Sequence, residues 1–156
     1  MPELRAEIEA LFTDYCAAID DMDLERWPRF FVEDGLYKII ARENFDRGLP
    51  LAAMLCESRR MMDDRVVTMR QTQMFAPRHH RHMVSHISVG AVAADGAIPV
   101  RSNYLVLQTL LDQPTQVFST GRCLDKLVRV EDRLMFRERV VVFDAAVISN
   151  SLIFPL

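Results

Sequence analysis

Residues 115–143, TQVFSTGRCLDKLVRVEDRLMFRERVVVF, alternate apolar and polar positions on both sides of Glu131-Asp132. Period-two alternation across a short polar turn predicts a long antiparallel hairpin. A chain built on such a hairpin must cover its apolar side with other elements. Before the turn, Cys123 and Leu127 supply apolar positions, with Phe118 and Val130 as further candidates and charges between them. After it, Leu134, Phe136, Val140 and Val142 share one parity, while Met135, Arg137, Arg139 and Val141 share the other. Neither face is clean, because Glu138 falls on the first and both arginines on the second. A strand with arginines between apolar neighbours often belongs to a sheet that meets another protein.

The rest of the chain supplies the cover. Leu4, Ile8, Leu11, Phe12, Tyr15 and Ile19 recur at spacings of three and four, predicting an amphipathic helix over 2–19. Asp23 can cap a short second helix with Leu24, Trp27, Phe30 and Phe31, limited by Pro28. Glu33-Asp34-Gly35 reads as a turn before a strand over 36–41, and 42–50 as a surface connection. Residues 51–56 fit a short strand or a helix. Ser58 can cap a helix reaching Gln71, with a stripe of Met61, Met62, Val66 and Met69. A polar stretch over 71–81 precedes strands over 82–93 and 98–111, joined at Asp95-Gly96. Residues 112–114 turn the chain into the terminal hairpin. The apolar tail, 145–156, is expected to pack on a sheet or on a partner subunit. Helices first and strands last predict α+β: one strongly curved, mostly antiparallel sheet wrapped around N-terminal helices.

At 156 residues, a single domain over 1–156 is expected, and 50% hydrophobic content is enough for a substantial core. A net charge of −3 argues against a nucleic-acid partner. Cys16, Cys56 and Cys123 stand alone in apolar patterns without a CxxC pair, as buried thiols in a reducing compartment would. The N-terminal pattern is not that of a signal peptide and no apolar run is long enough to span a membrane, so a cytoplasmic protein is expected.

Chemistry-bearing residues are few. All four histidines, His79, His80, His82 and His86, fall close together. In an extended chain His80, His82 and His86 share a face, but no Asp or Glu lies between Asp64 and Asp95 to complete a two-histidine-one-carboxylate site. Acid/base work by Asp34 or His82, with Tyr37 or Tyr104 as partners, is the other candidate. Glycine-rich phosphate loops, GxSxG and HExxH are missing.

Taken in order, the opening helix, WPRFFVEDGLYKI, the helix with Asp64-Arg65, RHMVSHISV, SNYLVLQT, VFSTGRCLDKLVRVEDRLMFRERVVVFD and the tail ending Pro155-Leu156 cover nearly the whole chain. Together they resemble the small (β) subunit of Rieske-type aromatic-ring-hydroxylating dioxygenases. Cys123 stands where that family often has an aromatic residue. The resemblance implies a cystatin-like cone of the nuclear-transport-factor-2-like kind. It implies a large (α) subunit that holds the Rieske [2Fe-2S] cluster and the mononuclear iron, and an assembly such as a trimer or a three-plus-three heterohexamer. No catalytic, cofactor or metal residue is expected in this chain, since a Rieske cluster needs paired Cys and His motifs. The short acidic form is most similar to subunits serving aromatic acids. His82, Arg122, Arg137, Arg139 and Phe154, with Arg129 beside them, are the expected partner contacts. The alternative is a free-standing cone-fold isomerase or dehydratase that uses Asp34 or His82.

Overall fold

The structure, a computed structural model, describes residues 1–71, 76–146 and 152–156. The apolar stripe at the N-terminus forms α1 (Pro2–Asp20), which buries Ile8, Phe12, Tyr15, Ala18 and Ile19. Leu4 and Leu11 pack at the margin of the same core. The expected second helix is a single 3-10 turn, Trp27–Phe30, with Pro28 inside it. Proline removes a donor and clashes with a longer helix, so the chain leaves the turn directly into a strand.

That strand, β1 (Phe31–Ala41), begins five residues before the expected 36. Glu33-Asp34-Gly35 is therefore not a turn but an irregularity within β1, where the register against its neighbour shifts between Phe31 and Leu36. A Cβ on Gly35 would stand 2.9 Å from the Val32 carbonyl oxygen, so the kink needs glycine. The 42–50 connection contains a short helix, α2 (Arg42–Asp46), and only Met54–Cys56 of the next apolar run pairs, as β2. Ser58 Oγ accepts from the Met61 amide at 3.2 Å and caps α3 (Arg59–Gln71). Met62, Val66 and Met69 form the buried stripe of α3, while Met61 is largely exposed.

β3 (Arg78–Val89), β4 (Ile98–Leu110), β5 (Gln116–Val130) and β6 (Arg133–Phe143) complete a six-stranded sheet in the order β2-β1-β6-β5-β4-β3. The β1–β6 pairing is parallel and the other four are antiparallel. β3 starts at Arg78 rather than at 82, because the far end of β4 extends the ladder to Arg78 opposite Leu110. Helix α1 lies against the concave side and packs on β3 and β6.

The mixed faces of the last strand have a local cause. The β5–β6 register shifts between Lys126 and Leu127, opposite Glu138 and Phe136, which leaves Arg137 as the extra residue of a bulge. A bulge reverses the parity of everything beyond it. Leu134 and Phe136 therefore point inward before it, and Arg139, Val141 and Phe143 point inward after it. Glu138 moves to the outer side and pairs with Lys126 at 2.9 Å. The strands approach so closely at Gly121 that a Cβ there would lie 2.0 Å from the Val142 carbonyl oxygen.

Seven aromatic rings close one end of the core. Trp27, Phe31 and Tyr37 meet edge to face at centroid separations of 5.1–6.2 Å, and Tyr15 meets Phe30 and Phe136 at 5.6 and 5.4 Å. Phe12 stacks on Phe136 at 5.9 Å. Ile153, Phe154 and Leu156 join the same buried cluster, so the end of the tail packs on its own chain. Ile148 and the rest of 147–151 lie outside the described residues.

Candidate functional site

The charged centre of the cone is a pair brought together by the hairpin register. Asp125 and Arg139 face each other on β5 and β6, and Arg139 Nη1 donates to Asp125 Oδ2 at 2.9 Å. Both side chains are buried. The guanidinium sits over the rings of Tyr15, Phe136 and Phe12, at 4.5, 4.9 and 5.4 Å from their centroids, and Nη2 reaches Cys123 Sγ at 3.4 Å. Burial pushes the Asp125 carboxyl up to about 6, with Arg139 pulling it the other way. Asp125 in turn holds the Arg139 guanidinium firmly protonated against its own burial.

Every thiol and phenol around this pair is tuned away from reactivity. Burial pushes Cys123 up to about 12 and Cys16 up to about 11, and it raises Tyr15, Tyr37 and Tyr104 above the ordinary phenol range. A nucleophile or general base needs the opposite shift. The hydroxyls serve packing instead. Tyr15 and Tyr37 donate to the Leu156 carbonyl oxygen at 3.0 and 3.1 Å, and Tyr37 accepts from the Leu156 amide at 2.7 Å. Trp27 Nε1 donates to the Tyr15 hydroxyl at 3.2 Å. Leu156 is thus clasped between α1 and β1, with Trp27 of the 3-10 turn bonded to the Tyr15 hydroxyl.

A second buried pair joins α1 to the edge strand. Asp20 Oδ1 lies 2.6 Å from His82 Nδ1, and Asp20 Oδ2 accepts from the His82 amide at 3.0 Å. His80, on the same side, contacts Gln108 Oε1 through Nε2 at 2.9 Å and stacks on Phe118; burial lowers its pKa. His86 does not continue this face. It occupies a bulge between Ser85 and Ser88 with φ of 52°. Among the described residues no three His, Cys, Asp or Glu side chains converge as a metal site.

Three of the five expected partner contacts are consumed inside the chain. Arg139 is not at a rim: the bulge turns it inward onto Asp125. Phe154 is buried and packs edge-on against His80, and His82 is bound to Asp20. Arg122 and Arg137 remain half-exposed on the outer side. Arg122 stacks on Phe45 at 5.4 Å and approaches Asp46 at 3.4 Å, and Arg137 meets Asp95 at 2.8 Å. Arg129 pairs with Glu7 of α1 at 2.8 Å. The acid/base candidates do not converge either: Asp34 is exposed on β1, with three strands between it and His82 on β3. Asp20 and Asp125 are the partners that pattern reading passed over. Asp125 carried one signal, the inward parity it shares with Cys123 and Leu127.

A curved α+β cone, with its central charges neutralised internally and its arginine-bearing sheet turned outward, defines a class of small cone-fold subunits. Residues 16–150 match the Ring hydroxylating beta subunit family. The chain is 36% identical over 150 residues to the anthranilate 1,2-dioxygenase small subunit of Burkholderia cepacia, covering 96% of this chain and 92% of that one. It is 29% identical to subunit beta 2 of the terminal oxygenase component of terephthalate 1,2-dioxygenase from Comamonas sp, covering 96% and 97%. A crystal structure from Novosphingobium aromaticivorans, inferred to be the beta subunit of an aromatic-ring-hydroxylating dioxygenase, superposes with a TM-score of 0.90 at 32% identity, covering 99% of this chain and 98% of that one. The chain belongs to the ring-hydroxylating dioxygenase β-subunit family and is a β subunit of an aromatic-ring-hydroxylating dioxygenase. As the small subunit of a terminal oxygenase, it has a large subunit as its partner.

Proposed function

We propose that this β subunit acts structurally, supporting a large subunit that holds the Rieske cluster and the mononuclear iron, and that the assembly acts on an aromatic carboxylate. The observation that carries this reading is the interior. Its ionisable groups are paired, or pushed toward their inert forms, around Asp125 and Arg139. The names of the anthranilate and terephthalate relatives support the substrate class.

The outer face of the sheet is the surface this reading assigns to partners. Arg122 and Arg137 stand there half-exposed, Met83 and Val117 are exposed, and Arg101, Leu124, Lys126, Glu138 and Val140 line a shallow groove of about 480 Å3. Interface cores favour apolar residues with arginine among them. Burial at roughly 25 cal/mol per Å2 lets an interface of ordinary size offset the entropy of association. Three copies of each subunit is the stoichiometry this reading expects.

Light scattering after size exclusion, with and without the large subunit, tests the proposal. The expected result is a defined complex of both chains that Arg122→Glu with Arg137→Glu weakens. A monomer that ignores the large subunit at micromolar concentration would defeat it.

A further inference from the structure

An open sheet has two free edges, and in this one they differ in length. β2 is three residues long, too short to template another strand, whereas β3 runs for twelve. An edge strand turns alternate residues' N–H and C=O groups outward, and such groups, left unpaired, recruit further strands. Beside β3 lies an open groove of about 640 Å3, bounded on its other side by α1. It follows the edge from Arg81 to Ile87, so an extended segment has room to lie there.

We propose that Arg5 and Asp20 guard this edge, taking up its outward backbone groups so that a second copy of the chain cannot add a strand to β3. The two contacts sit at opposite ends of the groove. At the end of α1, Asp20 Oδ2 accepts from the His82 amide at 3.0 Å. Near its start, Arg5 Nη1 donates to the Ile87 carbonyl oxygen at 3.1 Å, and Glu9, one turn on, fixes the guanidinium through Nε at 2.9 Å. Each side chain matches the group it meets, a carboxylate for the N–H and a guanidinium for the C=O. Each therefore satisfies a group that a neighbouring strand would otherwise pair. The bulge completes the arrangement. The β3–β4 register shifts between Ser85 and Ser88, and His86 holds φ of 52°. Before the shift, His82 turns its N–H away from β4; beyond it, the Gly90 amide donates to the Pro99 carbonyl oxygen and Ile87 turns outward. A bulge also twists an edge away from flat pairing. Val84, two residues from His82, turns its N–H the same way and has no hydrogen-bond partner among the described residues. It is the open donor between the two guards. The inference concerns the sheet's edge rather than the outer face assigned to partners above, and it stands without that assignment.

Light scattering after size exclusion of the full chain, across a concentration series, compares wild type with Arg5→Ala combined with Asp20→Ala. The double variant is expected to gain mass with concentration, reaching about twofold or more above wild type at equal concentration. Hydrogen exchange at the Val84 amide locates the contact. It should be slower in the larger species than in wild type, because the amide becomes a donor in the added ladder. Circular dichroism and thermal unfolding separate this growth from association of a misfolded chain. Asp20→Ala also deprives His82 Nδ1 of its carboxylate. Arg5 is exposed, so Arg5→Ala alone carries the result if the double variant fails to fold, and its mass should rise in the same direction. A wild-type mass in the folded variant that carries the result, or growth with Val84 exchange unchanged, would overturn the proposal.

Discussion

Arg137 and Arg139 are two residues apart on one strand and do opposite things. Arg139 lies inside the cone on Asp125 under three aromatic rings, while Arg137 sits outside and reaches the β3–β4 turn through Asp95. One bulge separates them. The difference teaches that a cation's role in this fold follows from strand parity rather than from residue type. The inner pair is committed to the fold, and the outer arginines stay half-exposed in ion pairs on the surface.

The largest expected effect comes from breaking the inner pair. Arg139→Ala strands a buried carboxylate and is expected to cost about 3–5 kcal/mol of stability near pH 7, against about 1 kcal/mol or less for Arg137→Ala. Chemical denaturation of both variants measures the gap, and near-equal losses would break the comparison. Joint replacement, Arg139→Met with Asp125→Leu, should recover most of the loss, because two apolar side chains of similar size need no charge partner.

The pH dependence of the same pair sharpens it. The Asp125 carboxyl titrates near 6 in the fold, above the value of about 3.9 for an unfolded aspartate. The folded state thus binds the proton more tightly. Its contribution is fully present below about pH 4 and is lost as pH rises through 6. Wild type should lose stability relative to Asp125→Asn over that window, and an increase with pH would have the wrong sign. No comparable difference is expected between wild type and Arg137→Ala.

A smaller effect belongs to the hairpin turn that sets both faces. Glu131 holds φ of 54°, a conformation that favours glycine. Glu131→Gly should stabilise by about 1 kcal/mol, raising Tm by roughly 2–4 °C. A fall in Tm would show that the Glu131 side chain contributes something the backbone strain does not offset.

Much of this architecture was legible in the residues. The α1 stripe, the Ser58 cap, the Asp95-Gly96 turn and the long hairpin each follow from local periodicity or turn chemistry. The bulge was not legible, and it decided the site. Glu138 and the two arginines, set against the alternation, were its trace, but a parity break looks the same whether the strand is two-faced or kinked. For the same reason Arg139 was expected at a partner's rim. His82 was expected there too, because its partner Asp20 is 62 residues away at the end of a helix and no local pattern joins them. The tail needed the full cone. Only the packed structure shows Leu156 held by Tyr15 and Tyr37.

The most direct test of a structural interior is turnover in the assembled oxygenase carrying the Arg139→Met, Asp125→Leu pair of replacements. With assembly verified by light scattering, kcat is predicted to stay within about twofold of wild type, since the pair touches no reacting atoms. A hundredfold fall in kcat in a fully assembled, fully folded complex would contradict it and place the chemistry inside this cone.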